Sequence, residues 1–326
     1  MNGYRFLYWD ELDAESQQQL SSSPLLAHMN NHYLRNTHSQ EYYNEYHGPD
    51  HRNRSILVFQ QHTPIIALPR LCKANEINFA GQPSEIISVV DKIATRNATV
   101  AMINHLKKRF ANGGLDGLFD HNSIVIKELA GYITSLNYHY HGYIDLDLPE
   151  ANYKNAIRKS YKSLINWGEK NFSIRLVDHR AKNLDEFKAF KSLHLEASRK
   201  VTRSDATWLK QFDMICAGYG FLVNAYFHGE IVSGCYIMND DQVAFYGVAA
   251  SRRDLMAENM PINHFPLYEA VRHSRNLGLK QFIFGNVNTD QTDNIKLRNI
   301  NKFKRGFCTN LSIRHSINVR LGPSSP

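Results

Sequence analysis

The chain has 326 residues, 43% of them hydrophobic and 21% charged, with a net charge of +7. That length predicts about two domains with real cores, and the composition excludes a disordered, fibrous or single-module protein. Residues 1–148 carry a net −3 and residues 149–326 a net +10, so an anionic partner is expected on the second half.

No apolar run approaches the ~18 residues of a membrane span, and the N-terminal residues lack the apolar core of a signal peptide. Cys72, Cys216, Cys235 and Cys308 are far apart and form no CxxC pair. They read as reduced thiols of a cytoplasmic protein. The sixteen histidines include no HExxH spacing. His139 and His141 share one side of a strand and read as exposed strand histidines, so no metal is expected.

In chain order, residues 20–54 read as an early helix and an irregular polar loop. Ser55–Gln61 and Ile65–Leu68 form a hairpin about His62-Thr63-Pro64, ended by Pro69. Residues 75–90 are mixed, with a turn at Gly81-Gln82-Pro83-Ser84. Val100, Ile103, Leu106 and Phe110 have helical spacing, and Asn112-Gly113-Gly114 stops that helix. Strands near Gly117–Phe119 and Tyr140–Leu146 follow, and Pro149 closes a first domain, 1–148. The second domain, 149–326, opens with a helix over Tyr153–Lys170, with Ile157, Tyr161, Leu164 and Ile165 on one side. A strand at Phe172–Val177 precedes amphipathic helices at Leu184–Arg199, capped by Asn183, and Thr207–Ala217. Gly220–Phe227, Glu230–Met238 and Gln242–Val248 form a β-meander turned at His228-Gly229 and Asn239–Asp241. Pro261 starts a helix that Gly278 stops. A strand at Gln281–Phe284, a helix at Asp290–Asn301 and a strand at Cys308–Ile317 complete the chain.

That order resembles the GNAT acyltransferase plan. The closing Leu277-Gly278-Leu279-Lys280-Gln281-Phe282-Ile283-Phe284-Gly285, followed by Phe303-Lys304-Arg305-Gly306-Phe307, resembles the end of FemAB-type tandem-GNAT transferases. The basic helix Arg158–Lys170 resembles the opening of their second unit, and Ala67-Leu68-Pro69-Arg70 the hairpin of their first. The resemblance is strong over 150–318 and faint over 1–148. It implies an α+β fold of two tandem GNAT-like domains, each a mixed, mostly antiparallel sheet flanked by helices. The first would be degenerate and the second would carry the donor–acceptor cleft.

The resemblance also implies an acyl- or aminoacyltransferase. It would form an amide or ester on a nucleotide- or lipid-linked cell-envelope precursor, a peptidoglycan peptide or a surface-polysaccharide sugar. No permanently bound cofactor is implied. GNAT enzymes using acyl-coenzyme A usually carry a Gln/Arg-x-x-Gly-x-Gly/Ala loop after the meander, whose amides hold the pyrophosphate. Here Ser251–Pro261 contains no glycine, and Arg252 and Arg253 would have to hold it. FemAB-type proteins also lack the loop and take their acyl group from aminoacyl-tRNA. Both donors, aminoacyl-tRNA and acyl-coenzyme A, therefore stay open.

Acyl transfer needs a deprotonated nucleophile, a stabilised oxyanion and two substrates held in reach. Lys304 matches the lysine of the family's FK motif and is the candidate for the carbonyl oxygen, with Phe303 beside it as a wall. His264, at a helix start, is a candidate general base, since an imidazole titrates near neutrality; a packing histidine is the plain alternative. Tyr246, at the end of the meander, and Asp290 or Asp293 are further candidates. Arg199, Arg203 and Trp208 suit an anionic or sugar-bearing acceptor through bidentate contacts and stacking. Arg158, Lys159 and Lys162 form a cationic helix face for phosphates or tRNA, and Asn286 follows the glycine of the next-to-last strand. No Cys or Ser is flanked by a recognisable base, which favours direct transfer.

A rival from another class is a non-catalytic nucleotide- or nucleic-acid-binding protein, and a third reading is an envelope-assembly scaffold. The expected setting is the cytoplasm, with peripheral association at the inner face of the membrane compatible with it.

Overall fold

The computed structural model describes residues 3–32, 36–48, 52–69, 71–73, 76–78, 84–110, 113–289 and 294–321. Arg70, Gly81–Pro83, Asn112, Asp290 and Asp293 lie outside the described residues. The chain divides into two compact units, one of Met1–His139 with Ile313–Pro326, the other of Tyr140–Ser312. The expected boundary at 148/149 thus gives way to two crossings, at 139/140 and 312/313. The closing strand, grouped with the second half by sequence, passes into the first unit at Ile313.

The first unit begins with β1 (Tyr4–Tyr8), α1 (Ala14–Ser21), α2 (Pro24–Asn30) and α3 (Thr37–His47). The polar stretch expected to be a loop is therefore mostly helical, because Asp13, Ser23 and Asn36 each cap a helix by accepting a backbone N–H. β2 (Arg52–Asn53), β3 (Ile56–Gln60), β4 (Thr63–Leu68), β5 (Leu71–Lys73), β6 (Glu76–Asn78) and β7 (Ile87–Ser88) follow. The hairpin pairs Leu57 with Ala67. Its strand β3 is apolar on both sides because both are covered: Leu57 and Phe59 pack with Leu25 and Met29, while Ile56 and Val58 pack with Met102 and Leu106.

Those last two belong to α4 (Lys92–Arg109), which starts earlier than its apolar spacing indicates because Asp91 caps Ile93 and Ala94. β8 (Gly113–Asp120) absorbs Gly113 and Gly114, the expected helix stop, into strand pairing. After α5 (Ile124–Leu129) the chain enters β9 (Ile133–Asp145). There His139 bonds Ser316 Oγ at 2.8 Å, and His141 is buried rather than exposed.

The second unit takes up the end of β9 and continues through α6 (Glu150–Ala156) and α7 (Lys159–Asn171). The single helix expected over Tyr153–Lys170 is broken at Ile157–Arg158, where the Arg158 N–H leaves the helix to donate to Gly306 O at 2.8 Å. β10 (Ser173–Val177), α8 (Leu184–Ser198), α9 (Asp205–Cys216), β11 (Gly220–Phe227), β12 (Glu230–Asn239) and β13 (Val243–Ser251) follow, the last three forming the expected meander. Then come α10 (Arg253–Ala257), α11 (His264–Asn276), β14 (Gln281–Asn286) and α12 (Ile295–Arg305), before β15 (Asn310–Leu321) returns to the first unit.

The strand order here is β10-β11-β12-β13-β14-β9. β11 alternates: Phe221, Val223 and Ala225 join Ile165, Phe265 and Val271 in a core under α7 and α11. On the opposite face α8 and α9 cover the sheet through Asn224–Glu186, Tyr236–Met214 and Phe190 against Gly234. Among the described residues no helix is long and apolar enough to cross a membrane.

A candidate active-site cleft

The second unit's sheet opens in the middle. β13 runs parallel to β14, but the two pair only at Val243–Gln281, Ala244–Phe282 and Phe245–Ile283. Beyond that point both strands are irregular. On β13 the register to β12 slips from Tyr236–Val248 to Ile237–Tyr246, leaving Gly247 as an unpaired bulge. On β14 the register to β9 slips between Ile283 and Gly285, and Gly285 has φ 72°, a left-handed conformation that glycine adopts freely. The strands diverge, and the free edge of β13 becomes a cleft wall through Tyr246, Gly247 and Ala249–Ser251.

The cleft has a volume of about 1160 Å³. The end of α8 contributes His194, Ala197 and Ser198; Arg253, Met256 and Asn259–His264 form a second side; Ile295, Lys296, Asn299, Ile300, Phe303 and Lys304 of α12 form a third. Arg253, Lys296 and Lys304 give it positive charge, and among the described residues no carboxylate lines it. A large, partly apolar cavity lined by cations is suited to an anionic ligand carrying an apolar part.

Lys304 is half-buried, on the last turn of α12, with Nζ 5.9 Å from the centroid of the Tyr246 ring. Burial pulls its ammonium below the usual lysine range, against a smaller opposing effect of Cys308. Tyr246 is driven the other way: burial, with the Cys235 thiol adding, raises its hydroxyl far above the ordinary phenol value. It is a hydrogen-bonding group, not a base.

His264 stands in an aromatic corner. Its ring lies edge-on to Tyr161 at 4.5 Å and to Phe303 at 5.2 Å, with Phe307 at 6.2 Å. Burial pushes its pKa down to about 4, opposed by a backbone hydrogen bond to Pro261. The imidazole is therefore neutral at pH 7, and its Nδ1 makes no hydrogen bond among the described residues. Tyr161 holds this corner to the closing motif. Its hydroxyl donates to Phe303 O at 3.3 Å, and its ring covers Gly306, where a Cβ would come within 2.3 Å of a ring carbon. That contact is why the motif has glycine at this position.

Asn263 adds a further polar group. Ser233 Oγ donates to its Oδ1 at 2.9 Å and Ser251 Oγ donates to the same atom. With Oδ1 so occupied, the Nδ2 group is left against the soft Met256 sulfur at 3.8 Å, as a donor on the cleft.

Of the residues singled out from sequence, Lys304, His264, Tyr246, Phe303 and Arg253 meet in the cleft. The others among the described residues do not line it. Trp208 is buried against Phe187, Phe190 and His194, and Arg203 covers it at 4.4 Å, so its ring is not free to stack on a sugar. Arg199 is the exposed left-handed C-cap of α8. Arg158 lies 5.3 Å over Tyr161, and Lys162 donates to Asn155 at 3.0 Å. Arg252 is spent on Asp254, with Oδ2 at 2.6 Å, and leans on Glu196. Asn286 accepts the Asn288 N–H at 2.8 Å, fixing the end of β14. Sequence reasoning passed over Asn263, Lys296, His194 and the bracing role of Tyr161. The one available signal was the absence of acidic residues after Asp293, which marks Lys296.

No family model and no curated protein sequence matches the chain. Solved structures do. FemX superposes with a TM-score of 0.62 over 95% of this chain and 95% of its own, at 14% identity. The C-terminal domain of a putative lysylphosphatidylglycerol synthetase from Agrobacterium fabrum gives 0.57 over 93% and 92%, at 11% identity. L-PGS from Bacillus licheniformis gives 0.56 over 96% and 94%, at 11% identity. The likeness is one of fold: the chain has an α+β, FemAB-like tandem GNAT fold.

Proposed function

We propose that the cleft of the second unit transfers an acyl or aminoacyl group directly from an anionic donor to an amine or hydroxyl of a cell-envelope precursor. The observation that most supports this reading is the split between β13 and β14, lined by Arg253 and Lys296 and carrying the half-buried Lys304. The FemAB-like fold agrees with it.

In this reading Lys304 hydrogen-bonds the donor's carbonyl oxygen and stabilises the oxyanion in a poorly solvated site, with Asn263 Nδ2 as a second donor. His264, held neutral, accepts a hydrogen bond from the attacking amine or hydroxyl. Burial has made it too weak a base to keep the proton, which passes on to the leaving group or to water. Arg253 and Lys296 hold the donor's negative charge. A covalent intermediate is disfavoured: burial pushes both Cys235 and Cys308 up to about 12, so neither supplies a thiolate. The donor is aminoacyl-tRNA, with acyl-coenzyme A as the alternative. Both are cytoplasmic, which sets the protein there.

Mass spectrometry of products decides it. The purified chain is offered each donor class with nucleotide-linked muropeptide and lipid-linked saccharide acceptors. Transfer from one donor, lost in Lys304→Ala, is expected. Transfer from neither donor to any such acceptor would overturn the reading.

A further inference from the structure

Helix α12 combines two properties that a helix packed only within its own domain avoids. Five of its eleven residues are Lys or Arg (Lys296, Arg298, Lys302, Lys304, Arg305) and none is acidic. No ion pair involves any of the five among the described residues, and no acidic residue follows in the rest of the chain. Interleaved with these cations, Ile295, Leu297 and Ile300 are 64%, 44% and 39% exposed. Leu297 and Ile300, three residues apart, share one side of the helix. Met256, 49% exposed, lines the same cleft as Ile295 and Ile300. Water-exposed aliphatic side chains grouped this closely mark a surface that another phase or molecule covers.

The pairing of charges with aliphatics selects the occupant. A nucleic acid would take the cations but offers nothing to Leu297, which is exposed outside the cleft. The headgroup region of a bilayer accepts both, apolar side chains entering the acyl boundary while Lys and Arg meet lipid phosphates. We infer that α12 docks the mouth of the cleft onto an anionic bilayer surface. The inference goes beyond the transfer reaction and stands on α12 alone. A docked cleft would open directly toward a lipid-linked acceptor.

Vesicle flotation with the full chain tests it without donor or acceptor, so its failure is separate from failure of the transferase reading. Vesicles containing phosphatidylglycerol should carry the protein, and pure phosphatidylcholine vesicles should carry far less. Arg298→Ala with Lys302→Ala should weaken binding by about fivefold per charge removed. Leu297→Glu should weaken it further with an unchanged melting temperature. None of these three residues lines the cleft. The emission of Leu297→Trp should be quenched by brominated lipid in excess of the native tryptophans. Absence of flotation, flotation indifferent to these variants, or an unquenched signal from the introduced indole with bulk tRNA binding lost only in the charge variants would each overturn the inference.

Discussion

Mild acid should destabilise this protein through His264. An imidazole in the unfolded chain titrates near 6.5, while burial among Tyr161, Phe303 and Phe307 brings it to about 4 in the folded chain. Between those values the unfolded chain binds a proton that the folded chain refuses, so stability falls as pH falls through that window. The gap of about 2.5 pH units, at about 1.36 kcal/mol each, gives a loss of about 3 kcal/mol, complete near pH 4 and absent above about pH 7. Burial lowers His139, His194 and His273 as well, and these act in the same direction. Glu85 and Asp254, both held at about 2, withdraw their support only as pH falls below the ordinary carboxylate range. The measurement is therefore a comparison with His264→Phe, which suits the aromatic corner. Urea unfolding at a series of pH values between about 7 and 4 should show the wild type losing about 3 kcal/mol more than the variant. Equal acid sensitivity of the two proteins, or an NMR titration of His264 near 6.5, would refute the reasoning.

Lys304→Met should lower kcat by about a hundredfold or more with the donor that proves active, the effect of deleting one oxyanion donor; a steady-state assay reads it, and an unchanged kcat removes Lys304 from the chemistry. Gly306→Ala should destabilise by about 1–3 kcal/mol in thermal melts, because its Cβ would collide with the Tyr161 ring. Asn263→Ala leaves the Ser233 and Ser251 hydroxyls without their shared acceptor and should cost about 1–2 kcal/mol in denaturant unfolding. Glu186→Ala removes the carboxylate that accepts from Tyr226 at 2.7 Å and Asn224 at 3.2 Å; about 2 kcal/mol should be lost, with α8 the first element to gain hydrogen exchange.

The meander and the hairpin are legible because their strands carry an uninterrupted apolar pattern between turn residues, and local chemistry alone places them. Long-range contacts account for what is not. Nothing near Ile157 announces a helix break; the cause is Gly306, far along the chain, accepting the Arg158 N–H. Gly113 and Gly114 look like a helix stop until β15 pairs with them. The aspartates ahead of α12 suggest an early helix start, yet the helix runs through Phe303 and Lys304, so the motif lies on a helical turn rather than in a loop. For the site, the family-like motif singles out Lys304, and position at a helix start singles out His264. Composition is a poor guide to Trp208 and Arg203, which look like a sugar platform but satisfy each other. Asn263 carries no signal, because its role arises from two serines on different strands.

The divergence of β13 and β14 means that the cavity is a property of the scaffold rather than of a loop. Two glycines on neighbouring strands set the opening before any ligand arrives, so binding need not order that wall. The opposite wall, α12, is largely exposed and contributes few side chains to the core. Substitutions along α12 can therefore alter what the cavity admits while the core beneath stays intact, leaving one wall free to diverge and the other bound to the fold.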